Sequence, residues 1–500
     1  MTDSASTDAP NSDAPNGDVP SSDVPKSVDV VIPFYEDQPM LDRILTALRH
    51  QSDPRRTVRV IVADDGSRTA PVVPPEVTVV RQDDRGFRAS AARHLGACAG
   101  EGDLLLFLDG DTVPGPDYVA TMCAALDGHP DLLAVGRRRY GRFAATRTGA
   151  APTVEPDEIL PDPAWPAAFY AETTDLTRGE DLWRGVLSAA CGLHRRLYDL
   201  AGGFDPDIVG YGGEDWDLAW RCEQAGGRLR YLPDAVAWHD GPDWAGRADA
   251  DHTDADHTDG DHTDGGDADG GDADGGDADG GDADGGDADG HRDETDRLAR
   301  KLAQKNAESA LLAGLIASPL TRPAGGIFAL PSVAVHLHAG SPEFAGTGSA
   351  AATCISLLAW GDVAVTVDPA TPDAAVIARL FADEPRVTLG ARGRWWRPGT
   401  PGAGPRRRPP VLVDILRPCA LGALDPRRLR ALCPPVGSVT LDDDEGYSLA
   451  EVRSSRALAR ELHWGEQPPE PTAVTASHAG VRGIDDDGSG VRLERVLGGW

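Results

Sequence analysis

The chain has 500 residues, 40% of them hydrophobic, and a formal net charge of −33 at pH 7. That length exceeds one ordinary core and implies two ordered domains plus linkers. The acidic balance argues against general binding to nucleic acid or to an anionic membrane.

The charge is local. Residues 249–296 hold 20 acids against the single base Arg292, and the tail 1–26 holds five Asp against Lys26. The rest of the chain carries only about −10, ordinary for folded domains. Asp recurs every fifth residue through the tail, which reads as disordered. From 27 to about 247 strand and helix signals alternate. Val28–Pro33 is a continuous apolar run expected as a doubly covered strand, and Met40–His50 carries a helical stripe. Strands are expected at Val58–Ala63, Val77–Arg81 and Leu104–Leu108, with a small-residue helix at Ser90–Ala99. Further on, Trp216–Ala225 reads as a helix and Val236–Trp238 as a short strand. Such alternation predicts an α/β fold with a mostly parallel sheet, whose ligands gather at the carboxyl ends of strands.

Residues 248–291 form an acidic, low-complexity linker of DHTD and GDADG repeats. It reads as a solvated spacer, loose cation binding being the other reading. About forty flexible residues span roughly 35 Å, enough for the halves to part. Residues 292–320 have the composition of a helical connector, and 321–500 read as a second α/β domain. Its expected strands are Val333–His338, Val363–Val367, Val387–Leu389, Val411–Ile415 and Val439–Leu441. Its expected helices are Ala350–Trp360, Ala374–Ala382 and Leu449–Leu462, and Arg406–Arg408 reads as a surface loop. The seven cysteines are dispersed without CxxC spacing, which predicts reduced thiols and a cytoplasmic protein. The N-terminus has no secretory pattern, and no apolar stretch approaches the roughly 20 residues of a transmembrane segment.

Two expected strands end in acids: one runs into Asp64 and Asp65, the other into Asp109-Gly110-Asp111. Two carboxylates flanking a glycine can converge on one hard cation, or can simply make a turn. A cation there could hold a diphosphate. In the segment Gly202–Asp217, Gly212 and Gly213 precede Glu214 and Asp215 at a helix start. Acids at that position suit the helix dipole and also suit a general base. His239 ends the strand that follows and is either structural or a further metal ligand.

These residues lie in six segments, in order: VIPFYED (31–37), VADDGS (62–67), RGFRASAARHLGACAG (85–100), FLDGDTVP (107–114), GGFDPDIVGYGGEDWDLAWR (202–221) and AWH (237–239). Together they resemble family-2 glycosyltransferases of the GT-A fold, nearest to chondroitin-polymerase-type and galactosyltransferase-type members. The resemblance implies an enzyme, a hexosyltransferase, confined to residues 27–247. It implies that Pro33, Asp64, Asp65 and Arg93 face the donor nucleotide and its diphosphate. Asp109, Asp111 and His239 would hold Mn2+ or Mg2+, with Asp109 also near the donor. Of Glu214 and Asp215, Asp215 is the implied base of an inverting transfer. The donor would be a nucleotide sugar, a UDP-sugar foremost, and the acceptor a carbohydrate or other hydroxyl compound. His94 stands where the family usually has Asn.

The resemblance does not reach residues 321–500, for which a degenerate transferase-like unit is the expectation. Rival readings are a nucleotidyltransferase that makes nucleotide sugars and a non-catalytic sugar- or nucleotide-binding scaffold. The first would need a Gly-rich, basic phosphate loop after the first strand, where this chain has PFYED. The oligomeric state is open at this level.

Overall fold

The computed structural model describes residues 27–51, 56–146, 151–210, 212–241, 302–303, 305–323, 326–396, 406–421, 424, 426–434, 437–467, 469–484 and 491–497. The tail 1–26 and the acidic repeats lie outside the described residues.

The first half runs β1 (Ser27–Phe34), α1 (Gln38–Arg49), β2 (Thr57–Asp64), β3 (Thr78–Arg81), α2 (Ala89–Ala99), β4 (Leu104–Leu108), β5 (Thr112–Pro114), α3 (Tyr118–Leu126), β6 (Leu132–Arg142) and β7 (Glu158–Ile159). It continues with α4 (Ala164–Glu172), β8 (Ala190–His194), α5 (Arg195–Ala201), α6 (Glu214–Gln224) and β9 (Arg228–Asp240). The strand order is β3-β2-β1-β4-β8-β6-β9-β5, with β7 pairing β6. Strands β3, β2, β1 and β4 are parallel, and β8 is antiparallel to both of its neighbours. The apolar runs make strands because both sheet faces are covered. Val31, Leu105 and Phe107 enter one core, while Val30, Ile32, Leu104, Leu106 and Leu108 enter the other. Helix α1 begins where Asp37 Oδ1 accepts the Met40 N–H at 3.0 Å, and it buries Met40, Leu41, Ile44, Leu45 and Leu48.

The expected elements recur within a few residues, with two differences that matter for the site. Helix α6 starts at Glu214, not Trp216, so both acids lie in its first turn. The short strand expected at Val236–Trp238 is the end of the 13-residue β9.

The second half contains helix α7 (305–315), β10 (Val333–Leu337), α8 (Ser349–Leu358), β11 (Val363–Val367), α9 (Ala374–Leu380), β12 (Val387–Leu389), β13 (Val411–Ile415) and β14 (Cys419–Ala420). Then come α10 (Pro426–Leu432), β15 (Ser438–Asp442), β16 (Ser448–Ser454), α11 (Ser455–Trp464), β17 (Thr472–Thr475) and β18 (Arg482–Gly483). Its main sheet has the order β12-β11-β10-β13-β16-β15-β17. The helix expected at Leu449–Leu462 is corrected: Ser448–Ser454 is a strand paired with both β13 and β15. A helix starts only where Ser454 Oγ caps it by accepting the Ala457 N–H at 2.9 Å.

The Arg406–Arg408 surface loop is also corrected. Arg407 Nη2 reaches Asp205 Oδ2 at 2.5 Å and Arg407 Nε reaches Asp217 Oδ1 at 3.0 Å, both in the first half. Along the rest of α6 and beside it, Arg456 pairs with Glu223 at 3.4 Å, and Trp464 Nε1 donates to Ala225 O at 2.9 Å. Arg460 meets Asp131 at 3.1 Å, and Arg430 meets Asp181 at 3.0 Å. The halves are therefore docked, whatever length of spacer joins them. Cys98 is exposed and the other six cysteines are buried. Among the described residues no helix is long and apolar enough to cross a membrane.

Candidate active site

Strands β1, β2 and β4 all end on one side of the sheet, and the acids that follow them gather there. Gly110 fits the β4 turn because a Cβ on it would stand 2.7 Å from Pro33 O. The β1 end and the Asp109-Gly110-Asp111 turn thus touch backbone to side. Beyond that turn, β5 pairs with β9 so that Thr112 lies opposite His239. This ladder brings His239 Nδ1 to 3.3 Å from Asp111 Oδ2. Arg138 Nη2, from β6, donates to the same imidazole nitrogen at 2.9 Å. Nδ1 is therefore an acceptor whose lone pair takes the Arg138 N–H, with the Asp111 carboxylate close beside it.

Asp109 faces elsewhere. Its carboxylate is bonded by Arg93, whose Nη1 also pairs with Glu214 Oε1 at 3.0 Å. Arg93 is 3% exposed and lies over the Phe204 ring. It reaches that position because α2 packs close to the sheet. A Cβ on Gly96 of this helix would meet Val31 Cγ1 at 2.5 Å. Burial alone would lower the Arg93 pKa, but Asp109 and Glu214 outweigh it and raise it. One buried guanidinium thus links the turn after β4 to the start of α6.

Glu214 and Asp215 follow Gly212 and Gly213, which have φ of +90° and +88°, a left-handed backbone that favours glycine. Burial and the neighbouring Asp215 raise the Glu214 pKa, with Arg93 opposing. Asp215 is pushed up to about 6, first by burial, against the Trp216 N–H and Arg93; Asp109 and Glu308 push further. Its Oδ1 accepts the Trp216 N–H at 2.8 Å.

The other expected residues sit at the same strand ends, each in pairings of its own. Asp64 is fully buried; Oδ1 accepts the Ser67 N–H at 2.8 Å and Oδ2 pairs with Arg81 at 2.9 Å. Asp65 accepts from Gln82 Nε2 at 2.6 Å and from the Arg88 N–H at 2.8 Å; burial raises its pKa against both bonds. His94 turns toward α5, with Nδ1 3.1 Å from the Tyr198 hydroxyl. Two residues near the site had no sequence reading. Arg138 is the middle of the run Arg137–Arg139, and strand alternation separates it from Arg137 and Arg139, which both pair with Asp162. Glu308, on α7, would lie 3.2 Å from a Cβ on Gly212, and Leu312 3.1 Å from one on Gly213. Helix α7 therefore covers the turn that carries the paired acids.

For a divalent cation, Asp111 and His239 offer a carboxylate oxygen and an imidazole nitrogen already side by side, both donor types for divalent first-row metals. Asp109, two residues away, is engaged by Arg93, and among the described residues no three His, Cys, Asp or Glu side chains are gathered as a cage. The residue types fit such an ion, with Asp109 as the ligand that would have to turn and Arg138 as the donor that would have to leave His239 Nδ1.

Residues 29–182 match the family described as Glycosyl transferase family 2. Validoxylamine A glucosyltransferase of Streptomyces hygroscopicus subsp. limoneus is 32% identical over 225 residues, 40% of this chain and 48% of that protein. Chondroitin synthase of Escherichia coli is 25% identical over 245 residues, 43% of this chain and 35% of that protein. Among solved structures, GalNAc-T7 with UDP, GalNAc and Mn2+ aligns with a TM-score of 0.34 and 17% identity over 44% of each chain. The chain spans about half the length, or less, of these curated relatives. The motif order and the sequence likenesses agree on one stretch: residues 29–182 of this chain match a family-2 glycosyltransferase domain.

Proposed function

We propose that this domain performs an inverting transfer of a hexosyl group from a nucleoside-diphosphate donor, a UDP-sugar foremost, to a hydroxyl of a carbohydrate-like acceptor. The observation that carries the reading is the division of labour at the start of α6. Glu214 is tied to Arg93, while Asp215 Oδ1 accepts its neighbour's N–H and burial pushes its pKa up to about 6, suited to a general base near neutrality. Asp215 would take the acceptor proton as the oxygen attacks the anomeric carbon from the face opposite the leaving group. Glu214 and Arg93 would hold the acceptor side and the diphosphate side in fixed relation. The crevice at the ends of β1 and β2, formed by Pro33, Asp64 and Asp65, would take the base and ribose. A divalent cation on Asp111 and His239, joined by Asp109, would neutralise charge on the departing diphosphate. Arg138, released from His239 Nδ1 by that cation, would meet a phosphate oxygen. A glucosyl donor is the first to try, because the 32% identical relative is named as a glucosyltransferase.

The test is a panel of UDP-, GDP- and TDP-sugars with Mn2+ or Mg2+, scored by release of nucleoside diphosphate. Asp215→Asn should keep donor binding and lose roughly 10²–10⁴-fold in rate. An unchanged rate in that variant, or release that persists in excess chelator, would remove the reading.

A further inference from the structure

The second half repeats the strand plan of the first. The order β3-β2-β1-β4-β8-β6-β9 in one sheet corresponds to β12-β11-β10-β13-β16-β15-β17 in the other. Every neighbour pair agrees in sense. The pairs β1/β2, β2/β3 and β1/β4 are parallel, as are β10/β11, β11/β12 and β10/β13. The next two pairs are antiparallel in both sheets, and the last, β6/β9 or β15/β17, is parallel in both. The chain order agrees as well: β6 precedes β8 as β15 precedes β16, and a helix follows β8 and β16 at once.

The transfer machinery does not recur. Strand β4 runs into Asp109, but β13 runs into Leu416, Arg417 and Pro418. Helix α6 has no counterpart, since α11 leads to β17 through residues 465–471 alone.

What stands at the same place is a different cluster. Ligands of open α/β sheets collect where the strand order reverses, here between β10 and β13. His336 and Asp414 are register partners across those strands. Asp414 Oδ1 lies 3.0 Å from His338 Nε2, and Asp414 Oδ2 accepts from Arg392 and, at 3.3 Å, from Trp396 Nε1. The His336 ring packs edge-on against His338 at 4.5 Å and against Trp396 at 6.0 Å. His336 is 4% exposed, yet its Nδ1 has no hydrogen-bond partner among the described residues. A buried polar atom without a partner is a group that a ligand can satisfy. The side chains of His338 and Arg392 are 36% and 49% exposed, so the cluster is reachable from solvent.

The charges narrow the ligand. Arg392 is already matched by Asp414, and Asp368 follows β11, so no surplus of positive charge awaits a diphosphate. Among the described residues no metal cage is formed there either. Donors and acceptors interleaved beside an indole suit an uncharged polyhydroxyl compound. We propose that the second half is a GT-A-type unit without transfer chemistry, whose β10/β13 crevice binds an uncharged saccharide through His336, His338, Arg392, Trp396 and Asp414. Its use would be to hold the acceptor near the first domain, a clause that rests on the transfer reading above; the binding itself does not.

The test uses the full chain and saturation-transfer NMR with six probes at millimolar concentration: the methyl glycosides of glucose, galactose, mannose and N-acetylglucosamine, together with maltose and cellobiose. At least one should bind. Asp414→Asn and His338→Ala should weaken it roughly 10- to 100-fold, the range of one charge-assisted hydrogen bond. Both variants should hydrolyse donor at the parent rate, which separates this site from the transfer site. If Asp414→Asn fails to fold, the half-exposed His338→Ala carries the comparison. The proposal is overturned if none of the six binds, or if both variants bind as the parent does. It is also overturned if UDP without metal displaces the saccharide when Asp109 and Asp111 are both Ala.

Discussion

Arg93 and Asp215 are set in opposite ways: neighbouring carboxylates win over burial at Arg93, and burial wins at Asp215. Asp215 is raised to about 6, mainly because it is buried. As a base it must be charged, so kcat/KM should climb with pH up to about 6 and level off above, a bell's acidic limb read from initial rates. A limb near the ordinary carboxylate value of 3.8 would place the base elsewhere. The same shift affects stability with the opposite sign. Because the folded pKa lies above the unfolded one, the group stabilises the fold below about pH 4, and this is lost as pH rises through about 6. At about 1.36 kcal/mol per pH unit, charged Asp215 forgoes on the order of 3 kcal/mol at pH 7. Asp215→Asn should therefore melt higher than the parent at pH 7 while losing activity, and melt alike near pH 4. At this scale the acids were legible in the sequence because each follows a strand or a glycine pair. Arg138 and Glu308 were not. Their roles depend on which strand lies beside β9 and on where α7 docks, and no local spacing encodes either.

The turn after β4 and the start of α6 are held by neighbouring elements as much as by their own residues. Gly110 leaves 2.7 Å between a would-be Cβ and Pro33 O, a contact that backbone atoms cannot relieve by a rotamer change. Gly110→Ala should therefore displace Asp109 or Asp111 and cut transfer at least tenfold, with circular dichroism unchanged; a rate equal to the parent would show that the turn can shift freely. Apolar runs made β1, β4 and the second half of β2 readable, since a strand buried on both faces has no polar alternation to confuse. The region Leu449–Leu462 misled for a physical reason. Leu449, Ala450 and Val452 are buried on β16, and Leu458 and Ala459 on α11, so a period-two and a helical pattern join without a gap. Only Ser454, as a cap, marks the change.

At the scale of the whole chain, the second half contributes arginines to acids of the first. Asp217 is fully buried and shares its oxygens between Arg221, on its own helix, and Arg407, from the other half. Burial would raise the Asp205 pKa, but hydrogen bonds from Arg407 and the Asp207 N–H, with the Arg407 charge, hold it below the usual range. Losing one member of such a pair costs about 3–5 kcal/mol where burial is complete. Arg407→Ala should lower the melting temperature by several degrees and reduce kcat more than the donor KM, because α6 carries Asp215. An unchanged kcat would make this contact purely structural. Nothing in the sequence marked Arg407, since a basic run in a Pro-rich stretch looks the same whether its partners are water or buried acids. These cross-half pairs also bear on how the molecule melts. Unfolding of the second half strands buried carboxylates of the first, and unfolding of the first leaves arginines of the second unpaired, so calorimetry of the intact chain should record one transition, and cutting the chain within the acidic repeats should leave that transition single and the two fragments eluting together.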